Sequence, residues 1–375
     1  MLLHIANYYT GSKVYRNLFS ALDKSGVLQT VYTAFRGSGR PNDMEFGQPG
    51  SKIWYRPILS LYTRIHYTYK SALITKDIRR HVNVGDISLI HAHTWYSDGR
   101  SANVLARLYG KPYLVTIRNT DINIFFKYFI HLRKRAKEVL LEAKAIIFIS
   151  HAYKERLLSH PYFAGCRAEL EAKSRVIPNG IEEYWLGNIW SGPRKLNDVP
   201  QLLYVGDFRK GKKVMQLIRI VKEMNEKGTA CHLHIVGAGG KEHQEVVQAA
   251  GKQPELFSYH GKVTEKEALR DLYRGADIFV MASKGETFGL VYVEALSQGL
   301  PVVYTRNEGI DGYFPANTGE AVNANDRNEI AAKIKKIIDH YSEYDFTSSE
   351  IVKPFSWTEI GKNYQELYQS IVSHK

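Results

Sequence analysis

The chain has 375 residues, of which 44% are hydrophobic and 24% charged, and its formal net charge is +13. This length predicts two or three domains, and the apolar fraction excludes an intrinsically disordered chain. No run of about 18 apolar residues predicts a transmembrane helix. The first residues lack the basic and apolar segments of a signal peptide, and two isolated cysteines form neither a disulfide framework nor a zinc site. We therefore expect a cytoplasmic protein.

The positive charge lies in one half of the chain. Residues 1–190 contain 27 Lys and Arg against 14 Asp and Glu, whereas residues 191–375 contain 24 of each. This asymmetry predicts an anionic partner for the first half: membrane phospholipid, nucleic acid or a phosphate-bearing substrate. Residues 54–56, 62–70 and 125–137 mix aromatic with basic side chains. On helices they indicate amphipathic surfaces that favour anionic lipid, the alternative being a core stripe with a solvated basic face.

Short apolar runs alternate with helical stretches in both halves. The first half has predicted strands at 2–6, 27–34, 87–91, 113–117 and 145–149, separated by helices such as 13–25, 101–109 and 128–142. The second half has strands at 201–205, 232–236, 256–259, 278–282 and 301–304, with helices at 214–227, 241–251, 265–274 and 289–298. Such alternation predicts two doubly wound parallel sheets, with ligands beyond the carboxyl ends of the strands.

Two histidines end a strand of the first half. His91 and His93 are two residues apart, and no third ligand stands at a spacing that suits a metal ion. We therefore expect a buried, hydrogen-bonded His91 and a His93 that donates a hydrogen bond to a substrate hydroxyl.

Two glycine-containing segments follow strands of the second half. Residues 206–213 place four basic residues and two glycines directly after a strand, which is consistent with a diphosphate-binding loop, the alternative being a solvated basic loop. Residues 237–240 are superficially similar to a dinucleotide-binding fingerprint. Glu242 occupies the position of its third glycine, so we give that interpretation little weight.

The strongest local pattern is in residues 282–296, between a strand and a helix. Glu286 lies in the loop, and Glu294 lies eight residues on, within two turns of a helix that we expect to begin near Phe288. The backbone N–H groups of Phe288, Gly289 and Leu290 would be free at the helix start, which suits a phosphate. A solvated Glu286 with a surface Glu294 is the alternative.

These motifs resemble the retaining glycosyltransferases of family 4, which have the GT-B fold, over nearly the whole chain. The Glu-x7-Glu element is the most specific, and residues 176–181, residues 355–370 and the His-x-His also fit the family pattern. The resemblance implies two Rossmann-like domains facing a central cleft and a C-terminal helix that crosses back to the first domain. It implies an acceptor-side domain at 1–184, a nucleotide-sugar-binding domain at 185–354 and a returning helix at 355–375.

The resemblance also implies a role for each matching residue. Glu286 and His93 would contact the donor sugar, and Glu294 would bind the ribose. Backbone N–H groups at the helix start would hold the sugar and β-phosphate. Lys212 would neutralise the diphosphate. Further donor contacts would come from Gly11, near the diphosphate, and Lys262, at the base pocket. The family chemistry implies retention of configuration and no metal ion. It implies no other cofactor either, because the nucleotide sugar, expected to be a UDP-sugar, is a co-substrate.

The chain departs from the family at two places. Asp207 stands where the family usually has an arginine, so Arg209 or Lys210 is expected to supply that charge. Where the family often has a histidine after the fourth strand, this chain has residues 116–121. We expect Arg118 to contact an anionic acceptor, the alternative being a structural pairing with Asp121.

The sequence is therefore interpreted as that of a glycosyltransferase acting on a lipid-linked or polysaccharide acceptor at the inner face of the membrane, in capsule, lipopolysaccharide or wall-polymer assembly. The basic first half would bind anionic lipid as a peripheral membrane surface. A soluble enzyme with a small-molecule acceptor is the main alternative. A sugar-nucleotide epimerase of the same fold is less consistent with the motifs, because those enzymes lack a Glu-x7-Glu element with these flanking residues. A nucleic-acid-binding protein is also less consistent, because the half with no net charge carries the best motif, and we expect no nucleic acid partner.

Overall fold

The computed structural model describes residues 1–7, 9–37 and 44–373. The chain divides into two compact units. The first contains Met1–Ile149, Tyr153–Gly180 and the chain from Trp357 onward, and the second contains Ser150–Ala152 and Ile181–Ser356. Each unit is built around its own parallel β-sheet, as the alternating pattern predicts.

The first unit contains a seven-stranded parallel sheet with the order β3-β2-β1-β4-β5-β6-β7. Its strands are β1 (Leu2–Ile5), β2 (Gln29–Arg36), β3 (Lys52–Leu59), β4 (Leu89–Ala92), β5 (Tyr113–Ile117), β6 (Ala145–Phe148) and β7 (Ser174–Val176). The helices of this part of the chain are α1 (Lys13–Lys24), α2 (Tyr62–Ile65), α3 (Tyr67–His81), α4 (Ser97–Tyr109), α5 (Arg133–Glu142), α6 (His151–Leu158) and α7 (Arg167–Ala172). Strands β1, β4 and β5 are buried along their whole length, because helices cover both faces of the sheet.

The second unit contains a six-stranded parallel sheet with the order β10-β9-β8-β11-β12-β13. Its strands are β8 (Gln201–Val205), β9 (His232–Val236), β10 (Phe257–Gly261), β11 (Ile278–Met281), β12 (Val302–Thr305) and β13 (Gly319–Val322). Its helices are α8 (Glu183–Leu186), α9 (Val214–Glu226), α10 (His243–Gly251), α11 (Lys266–Gly275), α12 (Leu290–Ser297), α13 (Arg327–Asp339) and α14 (Ser348–Val352).

The last helix, α15 (Trp357–Ser373), packs in the first unit although it follows the second in the chain. Gly361 lies against α1, where an added Cβ would be 3.1 Å from the Ala21 side chain, and Tyr368 reaches the core beside β1. The expectation that the C-terminal helix returns to the first domain is confirmed. Among the residues that the structure describes, no helix combines the length and apolar character that crossing a bilayer requires.

Two predictions for the basic half are wrong in detail. Trp54, Tyr55 and Arg56, which we interpreted as part of an amphipathic helix, lie in the edge strand β3. The strand contains Pro57, which an edge tolerates because one side of the strand needs no hydrogen-bond partner. The helix expected from residue 128 begins at Arg133 and is preceded by a π-helical segment (Asp121–Phe126) and a short 3-10 turn.

In both sheets the strand order reverses direction at one place. Strands β1 and β4 are neighbours in the first sheet, and β8 and β11 are neighbours in the second, although other strands come between them in sequence. The loops after such a pair diverge to opposite faces of the sheet and leave a crevice at the carboxyl ends of the strands. Most of the predicted site residues follow these strands, whereas Arg118 follows β5 and Lys262 follows β10.

Candidate active site

The loops after β8 and β11 meet at the reversal point of the second sheet. The Lys284 N–H donates a hydrogen bond to the Gly211 carbonyl oxygen at 2.7 Å. One residue away from Gly211, the Lys212 ammonium forms an ion pair with the carboxylate of Glu286. The structure thus brings together two predicted site residues that are 74 positions apart in sequence.

The Lys212–Glu286 pair is shielded but reachable from solvent. The side chains are 18% and 16% exposed, and Lys212 Nζ also lies 3.9 Å from Met281 Sδ. A partly desolvated ion pair interacts more strongly than a surface pair, but it also leaves the charges poorly hydrated. A ligand with a negative group for Lys212 and hydroxyl groups for Glu286 would satisfy both.

Backbone hydrogen bonds hold the loop that carries Glu286. The Glu308 carboxylate accepts hydrogen bonds from the N–H groups of Gly285 and Glu286, and the Gly309 N–H donates to the Glu286 carbonyl oxygen at 3.1 Å. Gly309 packs so closely that an added Cβ would be 2.8 Å from the Phe288 carbonyl oxygen. The loop that follows β12 therefore fixes the position of Glu286, a role for Glu308 that the sequence analysis missed.

Helix α12 begins at Leu290, two residues later than expected, and its N-cap is Gly289. Gly289 has φ +80°, and an added Cβ would be 2.6 Å from the Tyr292 ring, so this position requires glycine. Within the described chain, the N–H groups of Phe288, Gly289 and Leu290 have no hydrogen-bond acceptor. Three N–H donors and the positive end of the helix dipole are thus available at the start of α12. This arrangement can bind an anion.

Glu294 lies in the second turn of α12 and is partly buried. Burial, and to a smaller extent the nearby Glu182, raises the pKa of its carboxyl group to about 7. A hydrogen bond that Tyr273 Oη donates to Glu294 Oε2 at 3.3 Å opposes this rise in pKa only in part. The group is therefore poised to ionise near neutral pH, and it can accept hydrogen bonds from ligand hydroxyls.

The glycine-rich segment 237–240 supports the basic loop instead of binding a dinucleotide by itself. An added Cβ at Gly237 would be 1.8 Å from the Gly206 carbonyl oxygen, and one at Gly240 would be 2.3 Å from the Phe208 carbonyl carbon. The Phe208 N–H donates to the Gly239 carbonyl oxygen at 3.1 Å. These glycines let two strand-end loops pack backbone to backbone, which shapes the loop that carries Lys212.

The other basic candidates of the second unit are more exposed. The Arg209 side chain is 71% exposed, and its guanidinium forms an ion pair with Asp207 at 2.8 Å. Lys210 and Lys262 are also exposed, Lys262 directly after β10. Arg209 thus compensates the charge of Asp207 first, and its charge is only partly available to an anion.

In the first unit, His93 lies at the carboxyl end of β4 and is fully buried. His91 and His93 stack with ring centroids 3.9 Å apart, and His4 on the neighbouring β1 contacts His93, with Nδ1 of His4 2.9 Å from Nε2 of His93. The three rings form a cluster close enough to hold a metal ion. No third ligand stands at a suitable spacing in the sequence, but the fold supplies His4 from another strand, which a rule that looks only along the sequence cannot detect.

Arg118 is held by side chains other than the predicted one. Its guanidinium donates to Asn179 Oδ1 at 3.0 Å and lies over the Tyr15 ring, 5.0 Å from the centroid. Asp121 accepts a hydrogen bond from the Arg118 backbone N–H at 2.9 Å, and from the N–H groups of Trp95 and Tyr96. Asp121 thus organises the loops after β4 and β5 through the backbone. Arg118 keeps one buried guanidinium nitrogen, Nε, without a partner in the described chain.

Gly11 ends a 3-10 turn (Tyr9–Gly11) that follows β1. Nearby, the Asn7 amide donates a hydrogen bond to the Asp98 carboxylate at the start of α4, which joins the loops after β1 and β4. Burial raises the pKa of Asp98 to about 7, although Lys70 opposes the rise. Asn7 and Asp98 were missed because single polar residues carry no spacing pattern.

An exposed surface with basic and apolar side chains lies on the first unit; we name the exposed residues of 61–69 and 124–135 the basic–aromatic surface. Leu61, Tyr128 and Ile130 are 69%, 65% and 65% exposed. The rings of Tyr67 and Phe125, 6.5 Å apart, join the two segments. Among the side chains of this surface that the structure describes, the exposed Lys and Arg residues are Lys127, Lys134 and Arg135. Large exposed apolar side chains that cluster in this way indicate a binding surface.

Two parallel sheets with the same reversed strand order, together with a Glu-x7-Glu element at the reversal point of the second, define a glycosyltransferase of the GT-B class. The family model "Glycosyltransferase Family 4" matches residues 11–183, and "Glycosyl transferases group 1" matches residues 199–340. The chain belongs to glycosyltransferase family 4.

Curated relatives agree with this assignment. The putative teichuronic acid biosynthesis glycosyltransferase TuaC of Bacillus subtilis is 24% identical over 273 residues, which is 71% of this chain and 62% of TuaC. The D-inositol 3-phosphate glycosyltransferase of Arthrobacter is 26% identical over 356 residues, 88% of this chain and 82% of that protein.

Solved structures share the fold at lower identity. Sucrose-phosphate synthase from Thermosynechococcus elongatus has a TM-score of 0.75 and 20% identity, covering 100% of this chain and 99% of that one. HepE from Anabaena, solved with UDP and glucose, has a TM-score of 0.67 and 16% identity, covering 98% and 99%. These likenesses confirm the predicted GT-B fold.

Proposed function

We propose that the protein transfers a sugar from a UDP-sugar, with retention of configuration and without a metal ion, to a lipid-linked or polysaccharide acceptor at the inner face of the cell membrane. The observation that carries the donor half of this proposal is the Lys212–Glu286 ion pair beside the free N–H groups at the start of α12. It offers a cation, a hydroxyl acceptor and an anion-binding helix end within one loop cluster.

Each group of this cluster has a task in sugar transfer. Lys212 and the N–H groups of Phe288, Gly289 and Leu290 bind the diphosphate and stabilise the charge that develops as it leaves. Glu286 accepts hydrogen bonds from the sugar hydroxyls and orients the anomeric carbon. Glu294 accepts hydrogen bonds from the ribose.

Retention follows from front-face attack in this proposal. The acceptor hydroxyl approaches on the side from which the diphosphate departs, and a leaving phosphate oxygen takes the hydroxyl proton as the new glycosidic bond forms. His93 hydrogen-bonds the sugar. This step depends on stabilising the departing phosphate more than on a side-chain base, and Lys212 takes the part that a divalent cation has in other enzymes.

The nucleotide is proposed to be uridine diphosphate. HepE, which shares the fold, was solved with UDP. Lys262 follows β10 at the carboxyl edge of the same sheet and is proposed to line the base pocket, with Gly11 near the diphosphate. Arg209 is proposed to swing from Asp207 to the diphosphate when the donor binds, which its exposure permits.

The acceptor proposal depends on the basic–aromatic surface. Exposed tyrosine and aliphatic side chains enter the headgroup region of a bilayer, and each nearby Lys or Arg adds on the order of 1 kcal/mol on anionic lipid. A surface of this composition suits an enzyme whose acceptor is held in the membrane. The relation to TuaC, named for teichuronic acid biosynthesis, agrees with a wall-polymer acceptor.

A small anionic acceptor is the second candidate. The D-inositol 3-phosphate glycosyltransferase of Arthrobacter aligns over 88% of this chain. Arg118, with an unpartnered buried Nε, is the residue that we propose to contact such an acceptor. In this case the protein works in solution and the basic–aromatic surface has no part in catalysis.

Vesicle flotation distinguishes the two acceptors. We expect the wild type to float with phosphatidylglycerol vesicles, to release at high salt and not to bind phosphatidylcholine vesicles. The variant Tyr128→Ser/Ile130→Ser should lose binding, whereas Leu108→Ser/Tyr109→Ser, which removes exposed apolar groups elsewhere in the same unit, should not. Equal flotation of both variants, or none for the wild type, contradicts the membrane acceptor.

The stereochemical proposal has its own test. Proton NMR of the first product formed from an α-linked UDP-sugar should show an α-glycosidic anomeric signal. A β-linked product would contradict retention and would require a base on the opposite face of the sugar.

A further inference from the structure

An open cavity of about 260 Å³ lies at the carboxyl edge of the second sheet, beside the loop that joins β11 to α12. The loops after β11, β12 and β13 form its walls, with Lys284 from the first, Arg306 and Glu308 from the second, and Asn323 and Asn325 from the third. It is a little smaller than the pockets of about 300–1,000 Å³ that take drug-sized molecules. Its size therefore suits a small ligand with a few water molecules.

The hydrogen bonds of Asn323 and Asn325 show which end of each amide is free. Asn323 Oδ1 accepts from the Asn325 N–H at 3.0 Å, and Asn325 Oδ1 accepts from Lys213 Nζ at 2.7 Å. A backbone N–H and an ammonium can only donate, so the engaged atom of each amide is its oxygen. Nδ2 of both side chains has no acceptor in the described chain. Two amide N–H₂ groups are therefore left as donors at the cavity wall.

The charged side chains of the cavity favour an anion. Lys284 Nζ has no partner among the described residues. The Arg306 guanidinium pairs with Glu329 through Nη2 and keeps Nε and Nη1 without an acceptor in the part of the chain that the structure describes. Glu308 is the one carboxylate among the described lining residues, and its Oε2 already accepts from two backbone N–H groups. A cation in the cavity would thus meet two like charges, whereas an anion would meet two opposite ones.

Two strained residues hold the cavity walls in place. Lys213, with φ +57°, and Asn307, with φ +59°, are the only non-glycine residues of the described ranges with a left-handed backbone. Asn307 lines the cavity, and its N–H donates to Asp311 Oδ2 at 2.6 Å. Lys213 Nζ donates to the Ala324 carbonyl oxygen and to Asn325 Oδ1, both at 2.7 Å. Such strain persists only where the surrounding structure holds it, and it is frequent at ligand sites.

We propose that this cavity binds a phosphate group other than the diphosphate of the nucleotide sugar. A phosphate monoester carries nearly two negative charges and three terminal oxygens at pH 7. These oxygens can accept from Lys284, Arg306 and the two asparagine amides together. A carboxylate, with one charge and two oxygens, satisfies fewer of these donors. The phosphate is either the free ion or part of a small sugar phosphate, and the site goes beyond the donor binding that the proposed function requires.

Calorimetry with inorganic phosphate tests the site in the UDP-saturated protein, at constant ionic strength in a chloride buffer. We expect one saturable phosphate site per chain in the wild type. Lys284→Met should weaken phosphate binding by about tenfold, because it removes a charge-assisted hydrogen bond. The control Lys252→Met removes an exposed cation directly after α10 and should change the affinity by less than about twofold. No saturable binding, or an equal loss in the two variants, overturns the proposal.

A substitution that keeps the size of the side chain tests the amide donors. Asn323→Asp keeps the Oδ1 that accepts from the Asn325 N–H and replaces the free N–H₂ by a negative charge, so phosphate affinity should fall by about tenfold or more. An unchanged affinity would contradict the assigned donors.

Other anions test the ligand class. Acetate should bind the wild type at least about tenfold more weakly than phosphate, and equal affinities would contradict the choice of phosphate. Tighter binding of glucose 6-phosphate than of inorganic phosphate supports a sugar phosphate as the ligand, whereas tighter binding of inorganic phosphate supports the free ion.

Lys212→Met separates this site from the donor site. Lys212, Glu286 and Glu294 do not line the cavity, so phosphate binding should survive the loss of the Lys212 cation. Loss of phosphate binding in Lys212→Met, or in the wild type when UDP is added, would place the ion in the donor site and overturn the inference. If UDP itself does not bind, the proposed function fails, and the phosphate titration of Lys212→Met still decides about the cavity.

Discussion

Replacing Glu294 by glutamine should stabilise the free protein at neutral pH while weakening its binding of UDP. Glu294 is partly buried, and its carboxyl pKa is raised from 4.5 to about 7, chiefly by burial. Glutamine has nearly the same shape and can still accept the hydrogen bond from Tyr273. It cannot ionise, so it avoids the cost of holding a charge in this environment.

The size and the sign of this effect follow from the two pKa values. Between pH 4.5 and 7 the folded protein keeps the Glu294 proton and the unfolded chain has lost it, so the folded state binds more protons and stability falls as the pH rises. The difference between the values corresponds to about 3 kcal/mol. The stability advantage of Glu294→Gln should therefore grow from near zero at pH 4.5 to about 3 kcal/mol at pH 8.

Urea unfolding of wild type and variant at several values between pH 5 and 8 measures this growth. Taking the difference at each pH cancels the titration of all other groups. The exposed Glu267, in α11 of the same unit, provides the control Glu267→Gln, for which a flat difference is expected. The same samples should show UDP affinity reduced by about 10- to 100-fold in Glu294→Gln at pH 8, the loss of a charged acceptor. A flat profile for Glu294→Gln would refute the argument that its carboxyl group is destabilised by burial.

Three further substitutions test the donor loops. Lys212→Met removes the cation proposed to stabilise the leaving diphosphate, so it should lower kcat for nucleotide release by about 100-fold or more. A change in kcat under threefold would contradict that role. Asp207→Asn frees Arg209 from its ion pair, so calorimetry should show UDP binding about threefold tighter, and this gain in affinity should vanish at high salt. Weaker UDP binding would contradict the proposed shift of Arg209. Gly240→Ala should destabilise the protein by about 2 kcal/mol or more in urea unfolding, since its φ is +82° and the new Cβ would overlap Phe208; Gly251→Ala, with open space around it, is the control.

The buried strands of both sheets could be predicted from the sequence, and the edges mostly could not. Strands β5 and β8 have the predicted bounds because a strand covered on both faces is largely a continuous apolar run. Strand β9 also has the predicted bounds, although His232 and His234 interrupt its apolar residues. The missed strands β3, β7 and β13 are all sheet edges. An edge strand is only partly covered and tolerates polar residues and proline, so its pattern is weak.

The candidate site divides in a similar way. Glu286, Glu294 and the helix start between them could be found because they share one loop and one helix. Lys212 is 74 residues from its partner Glu286, and His4 is 89 residues from its partner His93. In each pair the two residues belong to different strands or strand-end loops, and only the strand order brings them together. The same reason explains why Glu308, Asn7 and Asp98 gave no signal in the sequence.

The measurement that tests the central proposal most directly is donor-dependent nucleotide release. The purified protein is incubated with a panel of nucleotide sugars, with and without EDTA, beside Glu286→Gln and the exposed control Glu267→Gln. We predict that one donor, a UDP-sugar, binds and slowly releases its nucleotide despite EDTA, that Glu286→Gln loses this release and that Glu267→Gln keeps it. Failure of every donor to bind, or full release by Glu286→Gln, would contradict the donor site at Lys212, Glu286 and Glu294.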